Sequence, residues 1–242
     1  MRRFLPPTLA ALAVLTTVAL TPSLANAGII AKGDIVKFAK GLGGADGGGE
    51  FLLLKKNLAG DWSQVGDPTF CLEVDEFIDF NSQFVVGGIS KQAVQGGVNT
   101  SSGDPLEGKT EFLFESYTNG TLSGFNGASD NQLANAVQSA IWSLEGERGA
   151  SGLALDLIEH AKDQESFTSA SVVVLNLFKT SILKNALNAF EAFDPNNDST
   201  WDAVSAYHAQ DQVFYAHAPE PVSAGIWGLG IATMMLPRFR RK

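Results

Sequence analysis

The chain has 242 residues and a formal net charge of −9, with 17 basic residues against 26 acidic ones. An acidic surface repels nucleic acid and anionic lipid, so we expect no nucleic-acid partner. The single cysteine, Cys71, excludes an intramolecular disulfide, and the length is sufficient for one domain with a hydrophobic core of its own.

The N-terminus has the pattern of a secretory signal peptide. The first three residues include the basic Arg2 and Arg3, residues 9–20 are apolar, and Ala25 and Ala27 form a small-x-small cleavage site. This pattern predicts a signal peptide over residues 1–27 and a mature chain that begins at Gly28. The alternative, an N-terminal membrane anchor, fits less well because the apolar core is short and the cleavage site is good.

Residues 28–218 are predicted to form one domain that begins with strands. Six glycines between positions 41 and 49 indicate a loop, and no Lys-Ser/Thr pair follows them as it would in a phosphate-binding loop. Short apolar or alternating segments predict strands over residues 50–55, 69–75 and 84–89, and a Gly-rich loop follows at 96–108. The alternation in the second of these strands places Cys71 on its more polar side.

Helical spacing dominates the middle of the domain, and strands are expected again at its end. Helices are predicted over residues 109–117, from Ser129 or Asp130 to 145, and over 151–164 and 182–193. Strands are predicted over residues 171–178, 201–207 and 212–216. The resulting class is α+β: a single mixed domain with early and late strands around a central helical region.

Two short motifs lie on the predicted 69–75 strand and on the second helix. The first is Phe70-Cys71-Leu72-Glu73, and the second is Gln138-Ser139-Ala140-Ile141-Trp142. Together they resemble the motifs of bacterial surface thioester domains, a family of adhesins that form an internal Cys-Gln thioester. Two positions depart from the family pattern, since Val137 stands where Thr is usual and Glu73 stands where Asp is usual.

The resemblance implies a bond between Cys71 and Gln138. A thiol held against a side-chain amide can attack its carbonyl carbon and expel ammonia, which leaves a thioester that an amine or a hydroxyl on a partner can open. Such a protein attaches covalently once and does not turn over. Phe70 and Trp142 are expected to shield the bond from water, while Glu73 disfavours a thiolate unless its carboxylate points away or acts as a base.

The C-terminus has three consecutive parts: Pro219-Glu220-Pro221, the apolar residues 222–236, and a basic tip with Arg238, Arg240 and Arg241. The apolar run is short for a membrane helix, and the basic tip is expected to stay in the cytoplasm. This arrangement resembles the PEP-CTERM sorting signal over residues 219–242. It implies transient anchoring in the inner membrane, removal of the tail by an exosortase-type enzyme, and delivery to the cell surface or extracellular matrix. A simple C-terminal anchor is the alternative.

Two further segments, at residues 174–177 and 210–213, also resemble segments of related PEP-CTERM proteins.

From the two terminal signals and the two motifs together, we expect an exported surface or matrix protein whose thioester captures a nucleophile on a surface or matrix polysaccharide or protein. The alternative is a non-reactive structural protein of the exopolysaccharide matrix in which Cys71 is a free core thiol.

An enzyme with turnover has little support in the sequence. There is no Gly-x-Ser-x-Gly motif and no paired catalytic carboxylates stand out. Asp194, Asn196 and Asp198 have the spacing of a calcium loop, but Ser199 replaces the turn glycine and Ser205 replaces the bidentate glutamate, so a surface turn is expected. The three histidines lack metal-ligand spacing, and no metal or cofactor is expected.

Overall fold

The computed structural model describes residues 30–44, 49–94 and 103–216, and these form a mixed α+β fold, as predicted. The expected signal peptide and the sorting residues Pro219, Glu220, Pro221, Arg238, Arg240 and Arg241 lie outside the described residues, so both sorting signals stay predictions. No helix in the described part of the chain is both long and apolar enough to cross a membrane.

The main sheet is antiparallel throughout and has seven strands in the order β3-β2-β1-β5-β8-β9-β4, and two short strands, β6 and β7, pair separately. The strands are β1 Ile35–Lys40, β2 Phe51–Lys56, β3 Trp62–Gln64, β4 Phe70–Cys71, β5 Phe84–Ser90, β6 Gln92–Ala93, β7 Asp104–Pro105, β8 Val172–Lys179 and β9 Gln212–Tyr215.

The sheet curls until its two ends nearly meet. Phe51, the first residue of β2, exchanges backbone hydrogen bonds of 2.9 and 2.8 Å with Thr69, the residue before β4. The edge strand β4 therefore lies next to β2 at this point, although four strands separate the two in the strand order. Curling lets a strongly twisted antiparallel sheet enclose a core between its own strands.

Within the described ranges, five α-helices pack on the outer face of the sheet or at its gap: α1 Gly108–Thr118, α2 Asp130–Leu144, α3 Leu153–His160, α4 Ile182–Asn185 and α5 Leu187–Ala192. The second helix begins after Ser129, whose backbone N–H donates to the Gln132 side chain at 3.0 Å, the reciprocal half of a capping box. This confirms the predicted start of the helix that carries Gln138.

The buried apolar residues form three clusters. The inner cluster lies within the curled sheet and includes Phe38, Phe51, Cys71 and Leu177. A second cluster lies between α1–α3 and the outer face of β8, β9 and β4, and a third packs α4 and α5 against β5 and β8. Trp142 belongs to the inner cluster although it lies on α2, so α2 covers the gap between β4 and β2.

Several predicted elements need correction. The predicted strand at 69–75 is limited to Phe70–Cys71, and the predicted strand at 201–207 is wrong, because this segment forms turns and a short 3-10 helix. Its apolar residues Trp201 and Val204 are three apart, the spacing of a helical turn, and the N–H of Val204 donates to the Trp201 carbonyl at 2.9 Å. The helix predicted at 182–193 is interrupted at Ala186, and the helix predicted at 151–164 is shorter than expected. The sequence patterns do not predict the strand β1.

Candidate functional site

Cys71 lies on the edge strand β4 with its side chain directed into the inner core. Its residue surface is fully buried, and in the register of β4 with β9 it lies opposite Gln212. Alternation had placed Cys71 on the more polar side of a strand, and that side is buried as well. The polar residues near the thiol are therefore internal partners, and they do not mark a solvent face.

The side-chain amide of Gln138 closes the free edge of β4. Its Oε1 accepts the N–H of Cys71 at 2.9 Å and that of Gly49 at 3.2 Å, and its Nε2 donates to the Cys71 carbonyl at 2.8 Å. The Gln138 residue is only 2% exposed. An edge strand has unpaired backbone groups, and here one glutamine side chain satisfies both groups of Cys71 in the way a neighbouring strand would.

The sulfur of Cys71 contacts two other glutamines. The thiol donates to Oε1 of Gln210 at 2.9 Å, and Nε2 of Gln212 donates to Sγ at 3.3 Å. Thr69 holds Gln212 in place by donating its hydroxyl to Oε1 at 3.0 Å. The thiol proton is thereby directed at the Gln210 amide, and the side chains of Gln210 and Gln212 are both almost completely buried.

Burial also controls the charge of the thiol. It raises the pKa of Cys71 far above its usual range, the N–H of Gln212 opposes this rise, and the nearby Glu73 adds to it. The resting sulfur is a neutral thiol. Any reaction at this position has to move the proton as the sulfur bonds, because a free thiolate is strongly disfavoured in this environment.

Glu73 lies two residues after Cys71 and is 4% exposed. Its carbonyl accepts Nε2 of Gln210 at 2.6 Å, its Oε2 accepts the N–H of Asp211 at 3.0 Å, and its Oε1 has no hydrogen-bond partner among the described residues. Burial first, and then the negative charges of Asp211 and Glu76, raise the pKa of Glu73 well above its usual range and favour the neutral acid.

Asp211 and His208 form a buried ion pair beneath Gln210. The Nε2 of His208 lies 3.1 Å from Asp211, and its Nδ1 lies 3.1 Å from Glu76. Burial lowers the pKa of His208, but the two acidic partners outweigh burial and raise it to about 10. Asp211 also accepts the N–H groups of Val94 and Leu177 and the side-chain amide of Asn176. The segment that carries Gln210 is therefore fixed from both sides.

The structure brings Cys71, Gln138, Glu73 and Trp142 together and sets Phe70 apart. Trp142 belongs to the same inner cluster as Cys71, but Phe70 points to the opposite face of β4, where its ring lies 5.2 Å from that of Tyr117. Neighbouring strand residues face opposite sides, so the Cys71 side chain lies in the inner cluster with Trp142 and the Phe70 side chain lies in the second cluster.

The sequence motifs do not predict Gln210, Gln212, Asp211 and His208 as site residues. The segment at 210–213 had been noted only for its resemblance to related proteins, with no role attached. A stronger signal is the run of three large polar residues that leads into the short strand β9, whose first residue is Gln212. Polar residues in that position need buried partners.

The thiol is closed off from solvent. A surface cavity of about 300 Å³ lies nearby, lined in part by Glu50, Tyr117, Asp130 and Leu133, but Cys71 does not line it. Among the described residues no three His, Cys, Asp or Glu side chains are grouped to hold a metal ion. The arrangement therefore consists of a nucleophile, amide carbonyls and a buried acid in a dry environment, which suits acyl transfer.

No protein-family profile, no curated protein and no solved structure matches the chain.

Proposed function

We propose that this domain forms an internal thioester at Cys71 and uses it once, to attach the exported protein covalently to an amine or hydroxyl on a surface or matrix partner. The observation that carries the proposal is the 2.9 Å contact between Cys71 Sγ and Gln210 Oε1 inside the core. A thiol held against an amide reacts as if at very high concentration, and the closed environment protects the product from water.

Two glutamines can supply the acyl group, and their contacts differ. Gln138, the partner expected from the sequence, uses both ends of its amide to bind the Cys71 backbone. Gln210 presents its carbonyl to the sulfur itself. The contacts favour Gln210 as the acyl donor and Gln138 as the residue that positions the cysteine. The Cys71–Gln138 bond is the competing prediction.

The reaction releases ammonia and leaves a carbonyl carbon bonded to sulfur. An incoming amine then takes the acyl group, so that the partner becomes attached to the glutamine side chain and Cys71 regains its proton. Because the thioester is consumed, the protein acts as a single-use covalent binder and not as an enzyme with turnover. Export, exosortase-type processing of the tail and a surface or matrix location belong to the same proposal and rest on the terminal sequence signals.

Intact mass and peptide mapping of the purified protein test the proposal together. The protein should weigh one ammonia less than its sequence, and methylamine should restore a labelable thiol at Cys71 and leave a methylamide on Gln210. A methylamide on Gln138 would assign the bond to the pair expected from the sequence. A protein of full sequence mass with a free Cys71 would leave the non-reactive matrix component as the better interpretation.

A further inference from the structure

We propose that Glu73 is the acid that drives thioester formation, by protonating the leaving nitrogen of Gln210. This inference rests on the proposed function and assigns the proton transfers that the function requires. The starting observation is that Glu73 is a buried carboxyl with one oxygen, Oε1, that has no hydrogen-bond partner among the described residues. An unsatisfied buried polar atom is costly, and such atoms are concentrated at functional positions.

The backbone carbonyl of Glu73 contacts the leaving nitrogen, and its carboxyl contacts the next residue along that chain segment. Nε2 of Gln210 donates to the Glu73 carbonyl at 2.6 Å, and the other carboxyl oxygen of Glu73 is held by the N–H of Asp211, the residue after Gln210. The carboxyl and the nitrogen that must depart are thus fixed to the same short stretch of chain. On the carbonyl side of the Gln210 amide, the Cys71 thiol donates to Oε1 of Gln210 and accepts a hydrogen bond from Nε2 of Gln212.

The chemistry needs a proton at this position. Amide nitrogen leaves as ammonia only if it is protonated, and the thiol proton is directed at the opposite end of the amide, on Oε1. As the Sγ–Cδ bond forms, the thiol proton passes to Gln210 Oε1. When the Cδ–Nε2 bond breaks, Glu73 gives its proton to Nε2, and the hydroxyl proton of the collapsing intermediate returns to Glu73. One ammonia leaves, and Glu73 ends in its original state.

The surroundings of Glu73 keep the proton available. The acidic groups that face it are Asp211 and Glu76, the neutral thiol of Cys71 is close by, and the positive charge of His208 is held by the two acids. Burial together with the two acids raises the pKa of Glu73, so the carboxyl carries its proton at pH values where an exposed glutamate has lost it. Glu73 therefore assists an attack by the neutral thiol and does not simply repel a thiolate.

The test starts from the reversed reaction. Treatment with ammonia opens the thioester back to the Cys71 thiol and the Gln210 amide. Once the free ammonia has been removed, re-formation of the bond is followed by intact mass, as the loss of one ammonia, at several pH values. In the wild-type protein the rate of re-formation should fall as the pH rises through the raised pKa of Glu73. A rate that increases with pH would indicate a thiolate mechanism and would overturn the assignment of Glu73.

Variants separate a chemical role from a structural one. Glu73→Gln should slow re-formation by about 100-fold, within the usual range for loss of a general acid, and should remove the alkaline decline. Glu73→Asp should keep that decline, and Glu76→Gln, a matched change at the neighbouring acid, should also keep the decline but move it to lower pH, because one of the two negative charges that raise the pKa of Glu73 is removed. Re-formation by Glu73→Gln at the wild-type rate would overturn the assignment while leaving the thioester in place. A wild-type protein that never loses ammonia would overturn the proposed function itself, and the role of Glu73 with it.

Discussion

Cys71 and Gln210 are 139 positions apart in the chain, yet the thiol of the first donates to the side-chain carbonyl of the second at 2.9 Å. Strand β9 brings them together, because it pairs with β4 and begins at Gln212, two residues after Gln210. The contact lies in a core closed to water, beside a carboxyl and two further glutamines. It is this contact that turns a lone buried cysteine into a candidate for acyl transfer.

The first prediction concerns Gln138 as a structural clamp. Gln138→Ala leaves the N–H and carbonyl of Cys71 and the N–H of Gly49 without partners, and should lower the free energy of unfolding by about 3 kcal/mol or more. Denaturant unfolding measures the change. Asn131→Ala is the matched control on the same helix, because among the described residues Asn131 accepts the N–H of Gly43 at an exposed position, and the change should cost less than about 1 kcal/mol. Equal losses in the two variants would argue against the clamp.

The second prediction concerns pH. Burial lowers the pKa of His208, but the stronger attraction of Asp211 and Glu76 raises it to about 10. Burial raises the pKa of Glu145 to about 8. Both groups bind protons more tightly in the folded state, so their contributions are complete at low pH and are lost as the pH rises through these values. The free energy of unfolding should therefore decrease between about pH 7 and about pH 10.

His208→Gln provides the check on that assignment. The variant should be less stable than wild type at neutral pH, because Asp211 and Glu76 lose their buried counter-charge, and its alkaline decline should be shallower. Urea midpoints of both proteins across the pH range make the comparison. A wild-type stability that is constant or increases toward alkaline pH would contradict the protonated state of His208.

Part of this architecture could be predicted from the sequence. The α+β class, the helix starting after Ser129 and the strands β2, β5, β8 and β9 follow from apolar periodicity and a capping signal, which are local features. The Gln138 motif lies against the cysteine motif, with Oε1 of Gln138 accepting the N–H of Cys71, while the bond between their side chains stays a prediction. Periodicity identified these elements because each of them buries one continuous face.

The remaining parts depend on contacts distant in sequence. The sequence predicts a strand over residues 201–207, and the burial of both Trp201 and Val204 in the third cluster favours the helical turn that their three-residue spacing also permits. The role of Gln210 depends on the register between β4 and β9, which no local pattern specifies. The same register places Phe70 on the opposite face of the strand from the sulfur, so of the two residues predicted to shield the bond Trp142 alone belongs to the cluster that contains Cys71.

The third prediction concerns the cross-link as a source of stability. A bond between Cys71 and Gln210 would close most of the domain into one loop and, by the entropy argument used for disulfides, contribute about 5 kcal/mol. Opening the bond with methylamine should lower the melting temperature clearly. Cys71→Ala should melt near the opened protein, and methylamine should have no effect on it. Identical melting before and after amine treatment of the wild type would mean that no cross-link was present.

The most direct test of the central claim is the site of methylamine incorporation. The wild-type protein, one ammonia below its sequence mass, should gain one methylamine and carry it on Gln210, with Cys71 becoming reactive toward thiol reagents at the same time. Cys71→Ser should show little or no incorporation, because a serine hydroxyl is the weaker nucleophile. A wild-type protein at full sequence mass, with no incorporation at Gln210 or Gln138, would contradict the thioester account.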